Sequence, residues 1–180
     1  MHKSELGLVH VYTGDGKGKT TASVGLGVRC SGREKYVAMF QFLKNTPSSE
    51  LYSIKKLDPY FKVFRNEKFA QKFIEEMNEA EARNMQKAML NLFDDAMSYM
   101  RNEKCDLIIL DEIFVCIKYK IISENILISL IKNKPAHIEL VLTGRGASER
   151  IMSMADYVTE MKCLKHPYEK GISFRDGIEQ

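Results

Sequence analysis

Val9-His10-Val11-Tyr12-Thr13-Gly14-Asp15-Gly16-Lys17-Gly18-Lys19-Thr20-Thr21 decides how this chain is read. An apolar run of strand length empties into a glycine-rich loop closed by Gly-Lys-Thr-Thr, and apolar residues then resume at helical spacing. The order is strand, phosphate loop, helix. Glycines let backbone N–H groups turn toward a polyphosphate, and the helix N-terminus behind them adds unpaired donors and about half an elementary positive charge. Lys19 can set a point charge against phosphate oxygens, and the Thr20 hydroxyl suits Mg²⁺, which prefers oxygen ligands and keeps several waters. Such loops usually open with glycine five residues before the glycine of Gly-Lys; here that position is Thr13.

Outward from the loop, strand and helix patterns alternate. Leu6 to Thr13 predicts the first strand, and Ala22, Val24, Leu26 and Val28 a helix ending near Cys30-Ser31-Gly32. Lys35 to Leu43 is a continuous apolar run suited to a central parallel strand. Glu50 to Leu57 predicts a short helix stopped before Asp58-Pro59, and Tyr60 to Phe64 a short strand. From Phe69 to Lys104 the pattern is helical, with Met85, Ala88, Met89, Leu92, Phe93, Ala96 and Met100 as its apolar stripe. The methionines read as core filler. Cys105 to Leu110 predicts a buried strand, Ile113 to Lys120 and Ser123 to Asn133 helices, and His137 to Thr143 another strand. Ser148 to Ala155 predicts a helix, Tyr157 to Met161 a last strand, and Lys162 to Gln180 a polar tail over the surface. The expectation is an α/β fold, a mainly parallel sheet with helices on both faces, in one nucleotide-binding domain over residues 1–180. Ligands bind outside the carboxyl ends of such strands.

Composition narrows the class. The 180 residues are 44% apolar and 28% charged, ordinary for a globular chain, and the formal charge of +3 with scattered Lys and Arg argues against a nucleic-acid surface. Cys30, Cys105, Cys116 and Cys163 lack Cys-x-x-Cys spacing, so they read as reduced apolar residues and point to the cytoplasm. No apolar run reaches membrane-spanning length, so neither export nor a membrane setting is expected.

The remaining chemistry sits at predicted strand ends. Leu107-Ile108-Ile109-Leu110-Asp111-Glu112 delivers two carboxylates in the arrangement of a Walker B strand. Arg145, between two glycines after a strand, is placed for an anion, whereas Arg29 at the far end of the first helix and His166 in Lys165-His166-Pro167-Tyr168 have no role fixed by pattern.

Taken in order, Thr13 to Thr21 with Arg29, Gln41-Phe42-Leu43-Lys44, Leu110-Asp111-Glu112-Ile113, Thr143-Gly144-Arg145-Gly146-Ala147, Val158-Thr159-Glu160-Met161, and Lys165-His166-Pro167-Tyr168 with Gly171-Ile172 resemble the P-loop-type ATP:corrinoid adenosyltransferases. The resemblance spans nearly the whole chain. It implies a RecA-like fold, usually dimeric, and transfer of the 5′-deoxyadenosyl group of ATP to the cobalt of a reduced corrinoid with release of triphosphate. It further implies an electron-donating flavoprotein as partner. In this family the triphosphate lies in reverse sense to ordinary P-loop enzymes, which bears on Thr13. Carried over by position, Thr13, Gly14, Asp15, Gly16, Lys17, Gly18, Lys19, Thr20 and Thr21 would hold the triphosphate with help from Arg29. Thr20, Asp111 and Glu112 would serve Mg²⁺, with Lys19 and Glu112 at the chemistry. The corrinoid side would fall to Phe69, Phe73, Arg145 and His166. The family often has Trp among the aromatics of that segment and Asn after Asp-Glu-Ile; this chain has no Trp, and Phe114 stands at the second position.

Two other readings fit the phosphate loop: an ATPase or kinase in which Glu112 polarises a water or hydroxyl, and a binding module that never consumes its nucleotide.

Overall fold

The first apolar run folds as strand β1, Val9–Thr13, and the helix behind the phosphate loop, α1, spans Lys19–Ser31. The computed structural model describes residues 7–44, 46–69, 72, 74–102, 105–173 and 175–178. Among the described residues β1 is joined in one sheet by β2 (Val37–Gln41), β3 (Phe61–Arg65), β4 (Leu107–Asp111), β5 (Glu139–Thr143) and β6 (Tyr157–Glu160). The order is β3-β2-β4-β5-β1-β6, and every neighbouring pair runs parallel. Parallel neighbours require crossovers, which lay helices over both faces. This is the expected α/β fold of the RecA-like class. Its helices after α1 are α2 (Glu50–Ile54), α3 (Glu79–Arg101), α4 (Ile113–Lys118), α5 (Glu124–Asn133) and α6 (Glu149–Met152).

Alternation along the strands divides the core in two. Val11, Phe40, Ile108, Leu110 and Leu142 face α3, α4 and α5, and the α3 stripe from Met85 to Met100 is buried against them as its spacing predicts. Val37, Met39, Leu107, Ile109 and Val141 face the other way, where Ile54 of α2 and Val24 and Leu26 of α1 close over them. All strands point their carboxyl ends to the same edge, so the loop after β1 and the ends of β2, β4 and β5 share one rim.

Several boundaries differ from expectation, each for a local reason. The helix expected from Phe69 begins only at Glu79, because Asn78 accepts from the Glu81 N–H while the Glu81 carboxylate accepts from the Asn78 N–H; this reciprocal cap fixes the start. The helix expected over Ser148 to Ala155 keeps its Ser148 cap but stops at Met152. In α1 the apolar residues are not the seat. Its buried positions are Lys19, Ser23, Gly27 and Ser31, while Val28 is 45% exposed. A stripe of small residues brings this helix close to the sheet, where Gly27 faces the buried Phe61 ring of β3.

That close approach separates two glycines of one helix. A Cβ on Gly27 would meet Phe61 Cε1 at 2.4 Å, whereas one on Gly25 would meet nothing within 4 Å. Gly25→Ala should therefore stabilise the protein by about 0.5–1 kcal/mol through helix propensity. Gly27→Ala should destabilise it, since overpacking of about 1–3 kcal/mol exceeds the same gain. Urea unfolding of the two variants checks the opposite signs.

Candidate active site

The phosphate loop is built as a fixed cradle. Gly14 and Gly18 take φ of 95° and 118°, a region open to glycine, and Gly16 packs so tightly on the chain after β6 that a Cβ would lie 2.7 Å from Met161 O. Gly16 N donates to Met161 O at 2.7 Å, and Met161 N donates to Thr13 O at 2.8 Å. β6 thus clamps the loop from outside. Gly18 precedes α1 without a side-chain cap, so the first N–H groups of the helix are left for a ligand. Lys19 is buried and its Nζ donates to Gly14 O and Gly16 O at 2.7 Å each, which holds the ammonium inside the loop. Burial is the largest influence on Lys19 and lowers its pKa, against Glu112, which raises it.

Behind the loop lies a buried carboxylate. Asp111, the last residue of β4, has no solvent exposure. Its Oδ1 accepts from Thr20 Oγ1 at 2.9 Å and Thr143 Oγ1 at 2.7 Å, and its Oδ2 from Lys44 Nζ at 2.7 Å and Gln41 Nε2 at 3.4 Å. Glu112 follows in a left-handed conformation, φ 62° and ψ 24°, with its N–H donating to Thr143 Oγ1 at 3.0 Å. A bulky residue in that region carries roughly 1–3 kcal/mol of strain. The strain turns the Glu112 side chain toward the cavity while Asp111 stays beneath.

The cavity at this rim has a volume of about 590 Å³. Asp15, Gly16, Lys17, Gly18, Lys19, Thr20 and Thr21 form one side, with Glu112 and Arg145 beside them. Opposite stand Lys44, Thr46, Ser48, Ser49, Glu50 and Ser53, from the end of β2 and the start of α2. His166, Gly177 and Ile178 come over from the tail, which therefore covers the cavity rather than a remote surface. His166 Nδ1 accepts from the Tyr168 N–H at 3.2 Å, which leaves Nε2 as the protonated nitrogen of the neutral ring.

Most of the anticipated residues meet here, and some do not. Thr13 does not line the cavity; it is buried at the end of β1, and its hydroxyl accepts from Ala147 N at 3.2 Å, tying the loop after β5 to the phosphate loop. Gly14 lies beneath the cradle against Met161. Arg29 is exposed and lies nine residues beyond Thr20 on α1, about 14 Å at 1.5 Å per residue. Phe69 packs against the large core, and Phe73 lies outside the described residues. Phe114 is 2% exposed and packs under Gly144, whose added Cβ would lie 3.1 Å from it, so it belongs to the core. Sequence reasoning set Gln41-Phe42-Leu43-Lys44 among the motifs but gave Lys44 no role, and it missed the hydroxyl-rich wall from Thr46 to Ser53, and Gly177 and Ile178.

A phosphate loop at the end of β1, an uncapped helix behind it and an acid at the end of β4 define a P-loop nucleotide-binding protein. The sequence narrows this further: the chain belongs to the ATP:corrinoid adenosyltransferases, as residues 5–180 match the family described as ATP:corrinoid adenosyltransferase BtuR/CobO/CobP. It is 30% identical over 178 residues to the corrinoid adenosyltransferase CobA of Salmonella typhimurium, covering 98% of this chain and 87% of that protein. To the corrinoid adenosyltransferase of a Sinorhizobium species it is 33% identical over 177 residues, covering 97% and 81% respectively. With that of Escherichia coli K12 the identity is 28% over 178 residues, covering 98% and 87%.

Electrostatics at Glu112 give a test. Burial, and then Asp111, raise its carboxyl above the ordinary carboxylate range, although Lys44, Lys19 and Arg145 pull it down. A raised value means that the folded state holds the proton more tightly than the unfolded chain does. Ionised Glu112 therefore costs stability increasingly as pH rises from the unfolded pKa through the folded one. Glu112→Gln should be more stable than the parent at neutral pH, and the difference should shrink toward zero as pH falls below about 4. Urea midpoints measured from pH 4 to pH 8 check this; a difference independent of pH would remove the electrostatic cause.

Proposed function

We propose that this protein transfers the 5′-deoxyadenosyl group of ATP to the cobalt(I) of a reduced corrinoid and releases inorganic triphosphate. The observation that carries the reading is the uncapped N-terminus of α1, with buried Lys19, on one side of a cavity into which Glu112 and Arg145 also face. That side concentrates donors and positive charge where a polyphosphate would lie.

In the reaction the cobalt electron pair forms the bond to C5′, the C5′–O bond breaks, and its pair leaves on the triphosphate. No proton is lost by the nucleophile, so alignment and leaving-group stabilisation are what the protein must supply. Backbone N–H groups at the head of α1, from Gly18 to Thr20, orient the triphosphate, and Lys19 and Arg145 draw off its developing charge. Moving from Gly14 O and Gly16 O onto phosphate exchanges neutral acceptors for charged ones, which strengthens the Lys19 bonds.

The residues present also fit Mg²⁺. Thr20 Oγ1, Asp111 and Glu112 form an all-oxygen set, and the Lys44 ammonium lying 3.1 Å from Thr20 Oγ1 and 2.7 Å from Asp111 Oδ2 supports the reading that positive charge is favoured beside Thr20. When bound, Mg²⁺ supplies further neutralisation of the triphosphate. Thr20 and Glu112 would hold it, with Asp111 behind Thr20 accepting its proton. His166 and the wall from Thr46 to Ser53 bound the rest of the cavity, where the nucleoside and corrinoid must approach each other.

The reading includes a homodimer, a cytoplasmic setting and a reduced flavoprotein as electron donor. Cobalt(I) needs a strongly reducing one-electron donor, and the free Cys30, Cys105, Cys116 and Cys163 suit a reducing compartment.

Incubation with ATP, Mg²⁺ and chemically reduced cobalamin should yield a light-sensitive alkylcobalt product and one triphosphate per turnover. Formation of ADP would instead establish cleavage at the γ-phosphate. Lys19→Ala should lower turnover by roughly 10²–10³-fold. The two carbonyl contacts it loses are worth about 1 kcal/mol each, so cooperative unfolding should persist with a modestly lower Tm. Unchanged turnover in the variant would contradict the role of Lys19.

A further inference from the structure

Lys44 sets its ammonium against Thr20 Oγ1 at 3.1 Å and Asp111 Oδ2 at 2.7 Å. Thr20 Oγ1 directs its single proton to Asp111 Oδ1 at 2.9 Å, so the contact from Lys44 Nζ uses one of its two lone pairs. A metal on the other lone pair of the same oxygen would stand close beside the ammonium, where like charges repel strongly. We propose that Lys44 is a built-in cation that holds Thr20 and Asp111 in place while the site is free of nucleotide, and that Mg²⁺ arriving with ATP takes its position and releases the ammonium to the phosphates. The inference rests on the reading of Thr20 as the metal-bearing hydroxyl.

Three features of the fold suit an exchange. The first is the anchoring of the Lys44 backbone: Arg65 of β3, itself nearly buried, donates through Nε to Lys44 O at 3.3 Å and through Nη2 to Thr46 O at 2.6 Å. The second is the turn. Leu43 adopts φ 54°, a left-handed conformation unfavourable for a branched side chain, and its N–H donates to Met89 Sδ at 3.1 Å. This turn sends Lys44 back toward β4 instead of outward along β2. The third is freedom at the tip. The Lys44 side chain is 26% exposed and lines the cavity, so its ammonium can leave Asp111 without any movement of backbone.

The charge balance shows why a resident cation is needed. Asp111 is fully buried, and among the described residues its other donors are two hydroxyls and an amide. Without Lys44 it would be a buried carboxylate with no paired charge, a costly state. Once Mg²⁺ supplies positive charge beside Thr20, Lys44 is no longer required at Asp111, and the incoming triphosphate offers it better acceptors. Lys44 is thus a positioning residue in the free protein and a phosphate-facing one in the loaded protein.

The test uses Mn²⁺ as the probe on the full chain, without nucleotide, read by electron paramagnetic resonance. The parent should bind Mn²⁺ weakly, Lys44→Met at least 10-fold more tightly with one ion per chain, and Lys44→Arg as weakly as the parent. Mg²⁺ alone should raise the Tm of Lys44→Met and leave that of the parent unchanged. Equal Mn²⁺ affinity in parent and Lys44→Met would overturn the proposal, as would a tight site already present in the parent. Should Lys44→Met fail to fold, the ¹⁵Nζ resonance of Lys44 in the parent gives an independent reading. It should move when Mg²⁺ is added to protein holding a non-transferable ATP analogue, and identical spectra with Mg²⁺ and with chelator would refute the exchange. None of the three readouts involves a corrinoid, so these results stand or fall separately from adenosyl transfer.

Discussion

The Asp111 carboxylate is the interaction on which the site depends. Among the described residues, donors reach it from three stretches distant in sequence: Thr20 on α1, Gln41 and Lys44 at the end of β2, and Thr143 on β5. A buried carboxylate tolerates few gaps in its shell, because each missing donor leaves charge uncompensated in a poorly polarisable interior. Strand register supplies much of that shell. β2 and β4 pair Gln41 with Asp111, and β5 beside β4 ends at Thr143, so the parallel sheet itself sets these groups side by side. The carboxylate in turn fixes the rotamer of Thr20 and, through Thr143, the backbone of Glu112. The phosphate loop and the acidic end of the site are thereby locked to one another by a single side chain.

What could be read from the sequence is what chemistry restricts to few residue types. A polyphosphate cradle demands glycines, a lysine and a hydroxyl at set spacing, and the stretch from Gly14 to Thr21 meets that demand in one dimension. The strands were legible for a similar reason, since a sheet covered on both faces requires unbroken apolar runs. The start of α3 was misjudged because Phe69 and Ile74 fit its apolar period, while the decisive event is the local exchange of bonds between Asn78 and Glu81. Arg29 has a triphosphate role by resemblance alone, and the rise of α1 sets it about 14 Å beyond Thr20. For Lys44 the place at a strand end was legible, but its approach to Asp111 comes from a left-handed turn at Leu43 that residue type does not announce.

The tail is a different case. Lys162 to Ile178 carries no periodicity, being polar and interrupted by Pro167, Gly171 and Gly177. Its placement over the cavity follows from where β6 ends. Met161 bonds to Thr13 and Gly16, so the chain leaves the sheet beside the phosphate loop and has to cross the rim. His166 and Ile178 therefore reach the site by proximity of chain exit, a property of topology that residue pattern does not encode.

The small-residue seat of α1 has a wider consequence. Ser23, Gly27 and Ser31 seat the helix closely on the sheet, and the cradle at its head is pinned from outside by Met161. The phosphate end of the cavity then behaves as a fixed datum, unable to yield by sliding. Any adjustment to a ligand falls to the opposite wall of the cavity, where Thr46, Ser48, Ser49 and Ser53 stand.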